Sequence, residues 1–289
     1  MNPGYHCRWE ARGQIILDAT SSAPIVMGIV NLTPDSFSDG GRISSTAEAA
    51  SFSRRMIAQG ADLLDLGGES TRPGAEPISL EQELARVVPV VLELSGTISI
   101  PISVDTTKAA VARAALAAGA SIINDISALA ADPEMAALAA DSGAGVVLMH
   151  MQGTPATMQA SPHYGDVVTE VHDFLARRVE WAEKRGIPRE RIAVDPGIGF
   201  GKTREHNLAI LRNLERFANL GCAVMIGVSR KGFLGSITGR PVSERAAASV
   251  ASALEACLRG ARVVRVHDVA ATADAIRVWA ALGRWEIRG

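Results

Sequence analysis

The chain has 289 residues, 47% of them hydrophobic, which is enough apolar material for one large core. Its formal net charge of −2 excludes a bulk attraction to nucleic acid or to an anionic membrane, so any anion site must be local. The three cysteines, Cys7, Cys222 and Cys257, show neither CxxC nor Cys/His spacing and give no sign of a zinc site or a disulfide framework.

In chain order, "MNPGYHCRWEARG" lacks the apolar centre of a secretory signal, and no apolar run approaches the roughly 20 residues that span a bilayer. A cytoplasmic protein is expected. Residues 1–22 read as an N-terminal extension that could form a short hairpin, and 23–289 as one domain. The first apolar run, "APIVMGIV", stops at Asn31 and opens into the polar, bendable "LTPDSFSDGG". Loops of such length are usually functional or disordered.

From there one unit recurs. A helical stretch ends in Gly, a small residue follows, and a short apolar run begins: "QGADLLDL", "AGASIIND", "SGAGVVLMH", "LGCAVMIG" and "RGARVVRVH". Gly60, Gly119, Gly143, Gly221 and Gly260 each suit the position after a helix where φ turns positive. "IAVDPGIGFG" after "KRGIPRER" is a variant of this unit. The intervening helical stretches include "SLEQELARVVPVVLEL" with Ser79 as N-cap, "TKAAVARAALAA", and "DPEMAALAADSG" with Asp132 as candidate cap. "VVTEVHDFLARRVEWAEKR", "EHNLAILRNLERFAN", "SERAAASVASALEACLR" and "ATADAIRVWAALGRW" complete them. Strands are predicted near 25–31, 62–67, 101–105, 121–125, 145–150, 191–195, 222–228 and 262–267. Eight strands alternating with helices indicate a (β/α)8 TIM barrel. A doubly wound open sheet would usually show GxGxxG after its first strand, and none is present.

Barrel enzymes place their chemistry at the carboxyl ends of the strands. Here those ends carry Asn31, Asp65, Asp105, Asn124, His150, Asp195, Ser229, Lys231, Arg265 and His267. Helix capping explains any single Asp or Asn. It does not explain Lys, Arg and His at two adjacent strand ends. Such a ring calls for a ligand polar around its edge. Arg265, inside an apolar run, needs an anionic partner from the protein or from a ligand. His267 shares its face and reads as a second donor to the same anion. "FGKT" lacks the spacing of a phosphate-binding GxxxxGK[ST] loop, and His163, His172 and His206 are expected at the surface.

"MGIVNLTPDSFSDGG", "GADLLDLGGESTRPGA", "PISVDTTKAAVARAALAAGASIINDI", "DPGIGFGKT", "GVSRKGFLG" and "RVHDV", in this order, resemble the dihydropteroate synthase family of folate biosynthesis from about Pro24 to Leu282. The resemblance implies joining of 4-aminobenzoate to the diphosphate ester of a hydroxymethyl-dihydropterin. It implies Asp105, Asn124, Met149, Asp195, Gly227 and Lys231 at the pterin, and Asn31, Thr71, Arg265 and His267 at the diphosphate. Asn31 would be the protein ligand of Mg²⁺. Thr71, Arg72, Pro73, Phe200 and Ser229 would line the aminobenzoate pocket, which sulfonamides also occupy. Asp105, Lys231, Arg265 and His267 would carry the chemistry. The segments after the first and second strands, "LTPDSFSDGG" and "ESTRPGAEP", would be mobile lids. The family also implies a homodimer, with the Ala/Val-rich last helices and Trp279 as a possible face.

On this reading the ring edge and the diphosphate occupy separate subsites. Arg265→Ala should then abolish turnover and spare binding of a diphosphate-free pterin. The alternatives are a pterin-binding methyltetrahydrofolate methyltransferase and a non-catalytic barrel paralogue. The first would not need "STRPG", "SRKGF" or the Arg265/His267 pair. The second should have lost some charged strand ends.

Overall fold

A strand in a closed barrel points alternate side chains at the axis and at the helices, and this alternation organises the chain. The structure is a computed structural model that describes residues 7–18, 23–33 and 45–283. A hairpin comes first, β1 (Trp9–Ala11) paired antiparallel with β2 (Gln14–Leu17). The barrel strands follow: β3 (Ile25–Asn31), β4 (Leu63–Gly67), β5 (Ile102–Asp105), β6 (Ile122–Asp125), β7 (Gly145–Met149), β8 (Ile192–Asp195), β9 (Ala223–Ile226) and β10 (Val263–Val266). Each pairs in parallel with the next, and β10 pairs with β3 to close the ring. The expected (β/α)8 barrel and all eight predicted strands are therefore observed.

The strand residues divide by parity. Val26, Val30, Leu64, Leu66, Val104, Ile123, Val146, Leu148, Val194 and Val224 pack outward in the large cluster beneath the helices. Ile25, Met27, Leu63, Ile122, Val147, Ala193, Met225 and Val263 form a second cluster along the axis. The hairpin joins this second cluster through Trp9, Ala11, Ile16 and Leu17. It therefore plugs the amino-terminal end of the barrel. Trp9 is fully buried and its indole N–H donates to Arg191 O at 3.2 Å. Arg12 fastens the turn, donating from Nη1 to Leu116 O at 2.8 Å and Ala120 O at 3.0 Å.

The helices largely follow expectation. Ser79 caps Leu80–Ser95 in a reciprocal box with Gln82. Gly60, Gly119, Gly143, Gly221 and Gly260 all have positive φ. Three details differ. Asp132 serves two helix ends: Oδ1 accepts from Glu134 N–H before its own helix, Met135–Ser142, and Oδ2 accepts from Ala109 N–H, capping Ala109–Ala118, whose N-cap Lys108 has no side-chain hydrogen bond. The stretch predicted as one helix at 205–219 is broken into Arg204–Arg212 and Glu215–Ala218. There Asn213 Nδ2 takes the carbonyl of Ala209. A short helix, Gly232–Thr238, stands in "KGFLG", where no helix is expected from the sequence. The first proposed lid, "LTPDSFSDGG" at 32–41, begins with the buried Leu32 and Thr33, and its remainder lies outside the described residues. The second is tied across the mouth by Gly74 N–H to Pro155 O at 3.1 Å.

Replacing a buried Trp with Ala typically costs about 3–5 kcal/mol. Trp9→Ala is therefore expected to lower the denaturant-unfolding free energy by about that amount. A loss below about 1 kcal/mol would mean that the hairpin is not part of the core.

Candidate active site

The inward parity class changes chemistry along the axis. Below it is Ile25, Met27, Leu63, Ile122 and Val147. Two residues further along each strand it becomes Ile29 and Asn31, Asp65, Asn124 and Met149. Ala193 gives way to Asp195, Ser103 to Asp105, Met225 to Gly227, and Val263 to Arg265 and then His267. A cavity of about 630 Å³ opens on this face at the carboxyl ends of the strands, beside a second of about 490 Å³ that shares Thr71, Asp105 and Met149 with it. Every residue assigned from the sequence to the pterin, diphosphate or aminobenzoate lines the larger one, including Thr71, Arg72 and Pro73 from the loop after β4.

The centre of the site is an ion-pair bridge. Arg265 Nε donates to Asp65 Oδ2 at 2.6 Å, and Arg265 Nη2 donates to Asp105 Oδ2 at 2.8 Å. Asn124 Nδ2 also donates to Asp65 Oδ2, at 3.1 Å. The anionic partners that the sequence demanded for Arg265 thus come from the protein itself. Arg265 also touches the ring-edge acid Asp105, so the expected ring-edge subsite and basic corner adjoin and share an ion pair. In the sequence Asp65 is only a strand end with no evident role. Its signal was its parity, which it shares with Asp105 and Asn124.

Burial pushes the Asp105 carboxyl up to about 7, with Asp65, Glu83 and Asp125 adding to the rise and Arg265 opposing it. Burial also raises Asp195, against the Gly197 N–H and the charges of Lys231, Lys202 and Arg265. Lys231 falls to about 8 through burial and the nearby Arg265, although Asp195 and Asp105 resist. Its Nζ stands 4.2 Å from the centre of the Phe200 ring. Burial lowers the Arg265 guanidinium, but Asp65 and Asp105 outweigh this and hold it above its usual value.

The loop after β8 is fixed at several points. Asp195 Oδ1 accepts from Gly197 N–H at 2.7 Å. Gly197 has φ +71, and a Cβ there would lie 1.9 Å from His150 O, so only glycine fits. Lys202, in the "FGKT" stretch that does not bind nucleotide by spacing, is buried against β7. Its Nζ contacts His150 Nδ1 at 2.9 Å, His150 O at 3.3 Å and Phe200 O at 3.0 Å. His163 is exposed and His172 and His206 are half-buried, with His206 capping Arg204–Arg212.

Ser229 lines the cavity, but its hydroxyl is engaged by His267, at 3.1 Å from the backbone N and 3.0 Å from Nδ1. Burial, with Arg265 and Arg230, pushes the His267 imidazole down to about 3. Burial and Lys202 do the same to His150. An unfolded histidine titrates near 6.5. Below that pH the unfolded chain takes up the proton first, so these groups remove stability as pH falls from about 6.5 toward 3. His150→Asn keeps an acceptor for Lys202 and removes one such titration. Its denaturation midpoint is expected to fall less than the wild type's between pH 7.5 and 5.0. Equal falls would contradict a neutral buried His150.

The cavity can hold magnesium only in a limited sense. No group of three or more His, Cys, Asp or Glu side chains among the described residues could enclose a metal ion. Asn31, half-buried on the cavity wall, offers one hard carboxamide oxygen. That fits an ion carried in largely by phosphate oxygens and water.

Comparison with known proteins agrees with the geometry. The family model described as "Pterin binding enzyme" matches residues 27–267. A dihydropteroate synthase of Neisseria meningitidis serogroup C is 49% identical over 280 residues, 95% of this chain and 97% of that protein. The structure of Xanthomonas albilineans dihydropteroate synthase with 4-aminobenzoic acid superposes with a TM-score of 0.88 at 48% identity, covering 96% of this chain and 98% of that one. A structure of the enzyme from the same organism with 7,8-dihydropteroate gives 0.84 at 46% identity, with the same coverage of both chains. The chain therefore belongs to the pterin-binding enzymes, and within them to the dihydropteroate synthase family.

Proposed function

We propose that the protein joins 4-aminobenzoate to (7,8-dihydropterin-6-yl)methyl diphosphate, giving 7,8-dihydropteroate and diphosphate. The observation that carries this reading is that Asp105, Asn124 and Asp195 line the same cavity as Lys231, Arg265 and His267. The nearly half-identical synthases named above support it.

Among the described residues, the hydrogen bonds within the site leave a defined set of unused groups. Asp105 Oδ2 is taken by Arg265, Asn124 Nδ2 by Asp65, and Asp195 Oδ1 by Gly197. Asp105 Oδ1, Asn124 Oδ1 and Asp195 Oδ2 remain as acceptors for the amino and ring N–H groups of a pterin. Gly227 leaves open space where a side chain would stand, as a flat ring requires, and Met149 lines the same cavity. Lys231 supplies a donor to the ring. Thr71, Arg72, Pro73 and Phe200 form the wall for 4-aminobenzoate.

The C–O bond to diphosphate breaks first, and the positive charge spreads into the pterin. The aniline nitrogen then attacks the methylene carbon and loses a proton. Asp105 and Asp195 favour the cation electrostatically, while Arg265 and His267 face the departing anion together with Asn31 and Thr71. Magnesium held at Asn31 would add positive charge to the leaving group. No side chain acts as nucleophile. A methyltransferase would use the ring-edge acids but has no use for a donor set at the departing anion.

The same reading includes a cytoplasmic homodimer. Among the described residues no helix is long and apolar enough to cross a membrane. On Val269–Ala281 and just beyond it, Val278 and Leu282 are exposed apolar residues that a second copy could cover.

Diphosphate release should require both substrates, and release without 4-aminobenzoate would contradict the assignment. Because Arg265 neutralises Asp65 and Asp105, Arg265→Ala should abolish turnover and also weaken a diphosphate-free dihydropterin by about thirtyfold or more, the low end of the scale for a buried charge left unpaired. Unchanged pterin affinity by calorimetry would restore two independent subsites.

A further inference from the structure

Ser229 stands between β9 and the helix Gly232–Thr238, and it is buried. Its hydroxyl oxygen lies 3.1 Å from the backbone N–H of His267, which can only donate, so Oγ is the acceptor there. The same oxygen lies 3.0 Å from His267 Nδ1. Among the described residues the only acceptor that the Ser229 hydrogen reaches is therefore Nδ1. Arg265 and Arg230 both disfavour a second proton on the ring. A neutral imidazole that accepts at Nδ1 carries its hydrogen on Nε2. No described residue takes that hydrogen, and His267 lines the cavity.

We propose that Ser229 is a positioning residue: it accepts from the His267 backbone and donates to Nδ1, fixing the Nε2–H tautomer with that hydrogen free for a ligand oxyanion. The inference rests on the reading that an anion departs beside His267, and it gives Ser229 a task different from contact with 4-aminobenzoate. The neighbouring cations make a doubly protonated ring costly, so His267 serves as a neutral directional donor, and Arg265 supplies the charge. A rotated ring or the opposite tautomer would turn a lone pair toward the anion and repel it.

The test uses ring ¹⁵N–¹H correlation spectra of the full chain at neutral pH together with steady-state kinetics. The wild type should show His267 protonated at Nε2, and added inorganic diphosphate should shift that signal. Ser229→Ala should give a mixture of tautomers, lower kcat about tenfold, and leave KM for 4-aminobenzoate within about twofold. Ser229→Thr, which keeps the hydroxyl, should restore both the spectrum and most of kcat, and thermal melts confirm that each variant is folded. An Nδ1–H tautomer in the wild type would overturn the proposal whatever the enzyme's activity. So would a Ser229→Ala variant with raised KM for 4-aminobenzoate and unchanged kcat, because the hydroxyl would then serve that substrate. Were no diphosphate released by the wild type, the proposed reaction would fail, and the spectra and the diphosphate shift would still decide the tautomer.

Discussion

The acids, the amide and the guanidinium at the heart of the site are placed by one constraint, the alternation of side chains along a strand. The parity that fills the lower axis with Ile25, Met27, Leu63 and Ile122 also brings Asn31, Asp65 and Asn124 into the upper mouth. Asp125, one residue from Asn124, belongs to the opposite parity. Its oxygens accept from Ser127 and Leu129 in the loop after β6. A shift of one residue in register would exchange these tasks and bury the wrong face. The hairpin matters for the same reason. It seals the axis at the end where no chemistry takes place, so the polar ring at the other end rests on a packed floor.

Charge is the second constraint. Asp65, Asp105 and Asp195 are almost wholly buried within one mouth, where unpaired carboxylates are expensive. Arg265 bridges two of them, and Lys231 and Lys202 lie close to the third. Each cation lowers the cost of the acids, and the acids keep the guanidinium charged. Recognition of the ring edge and binding of an anion are consequently parts of one network. The position of Asp105 near 7 reflects that balance: burial favours the neutral acid, and Arg265 favours the carboxylate. A cationic ring beside it would favour the carboxylate further.

Much of this was legible in the sequence because it depends on local rules. Helix-ending glycines, Ser79 before a Glu/Gln-rich turn, and short β-branched runs each have a local physical cause, and together they specified the barrel. Strand-end position and parity gathered the candidate residues into one cavity. The sequence could not show which side chain meets which across the ring, because those contacts join residues up to 200 positions apart. For that reason the strand pattern alone gives Asp65 no role and sets Arg265 in a separate corner. Ser229 was placed with 4-aminobenzoate by resemblance, and the contact that occupies its hydroxyl depends on how β9 and β10 lie side by side. The Lys202 clamp is hidden similarly, since the spacing of "FGKT" excludes a phosphate loop but does not show that Lys202 packs against His150.

The central claim is that the ring-edge acid and the anion-facing guanidinium act as one unit. A double-mutant cycle on Asp105→Asn and Arg265→Lys, read as the calorimetric affinity for a diphosphate-free dihydropterin, tests it most directly. The account predicts that the two changes are non-additive by about 1 kcal/mol or more, as expected for groups in one buried network. Additivity within about 0.3–0.5 kcal/mol would show that the two groups act independently and would contradict the account.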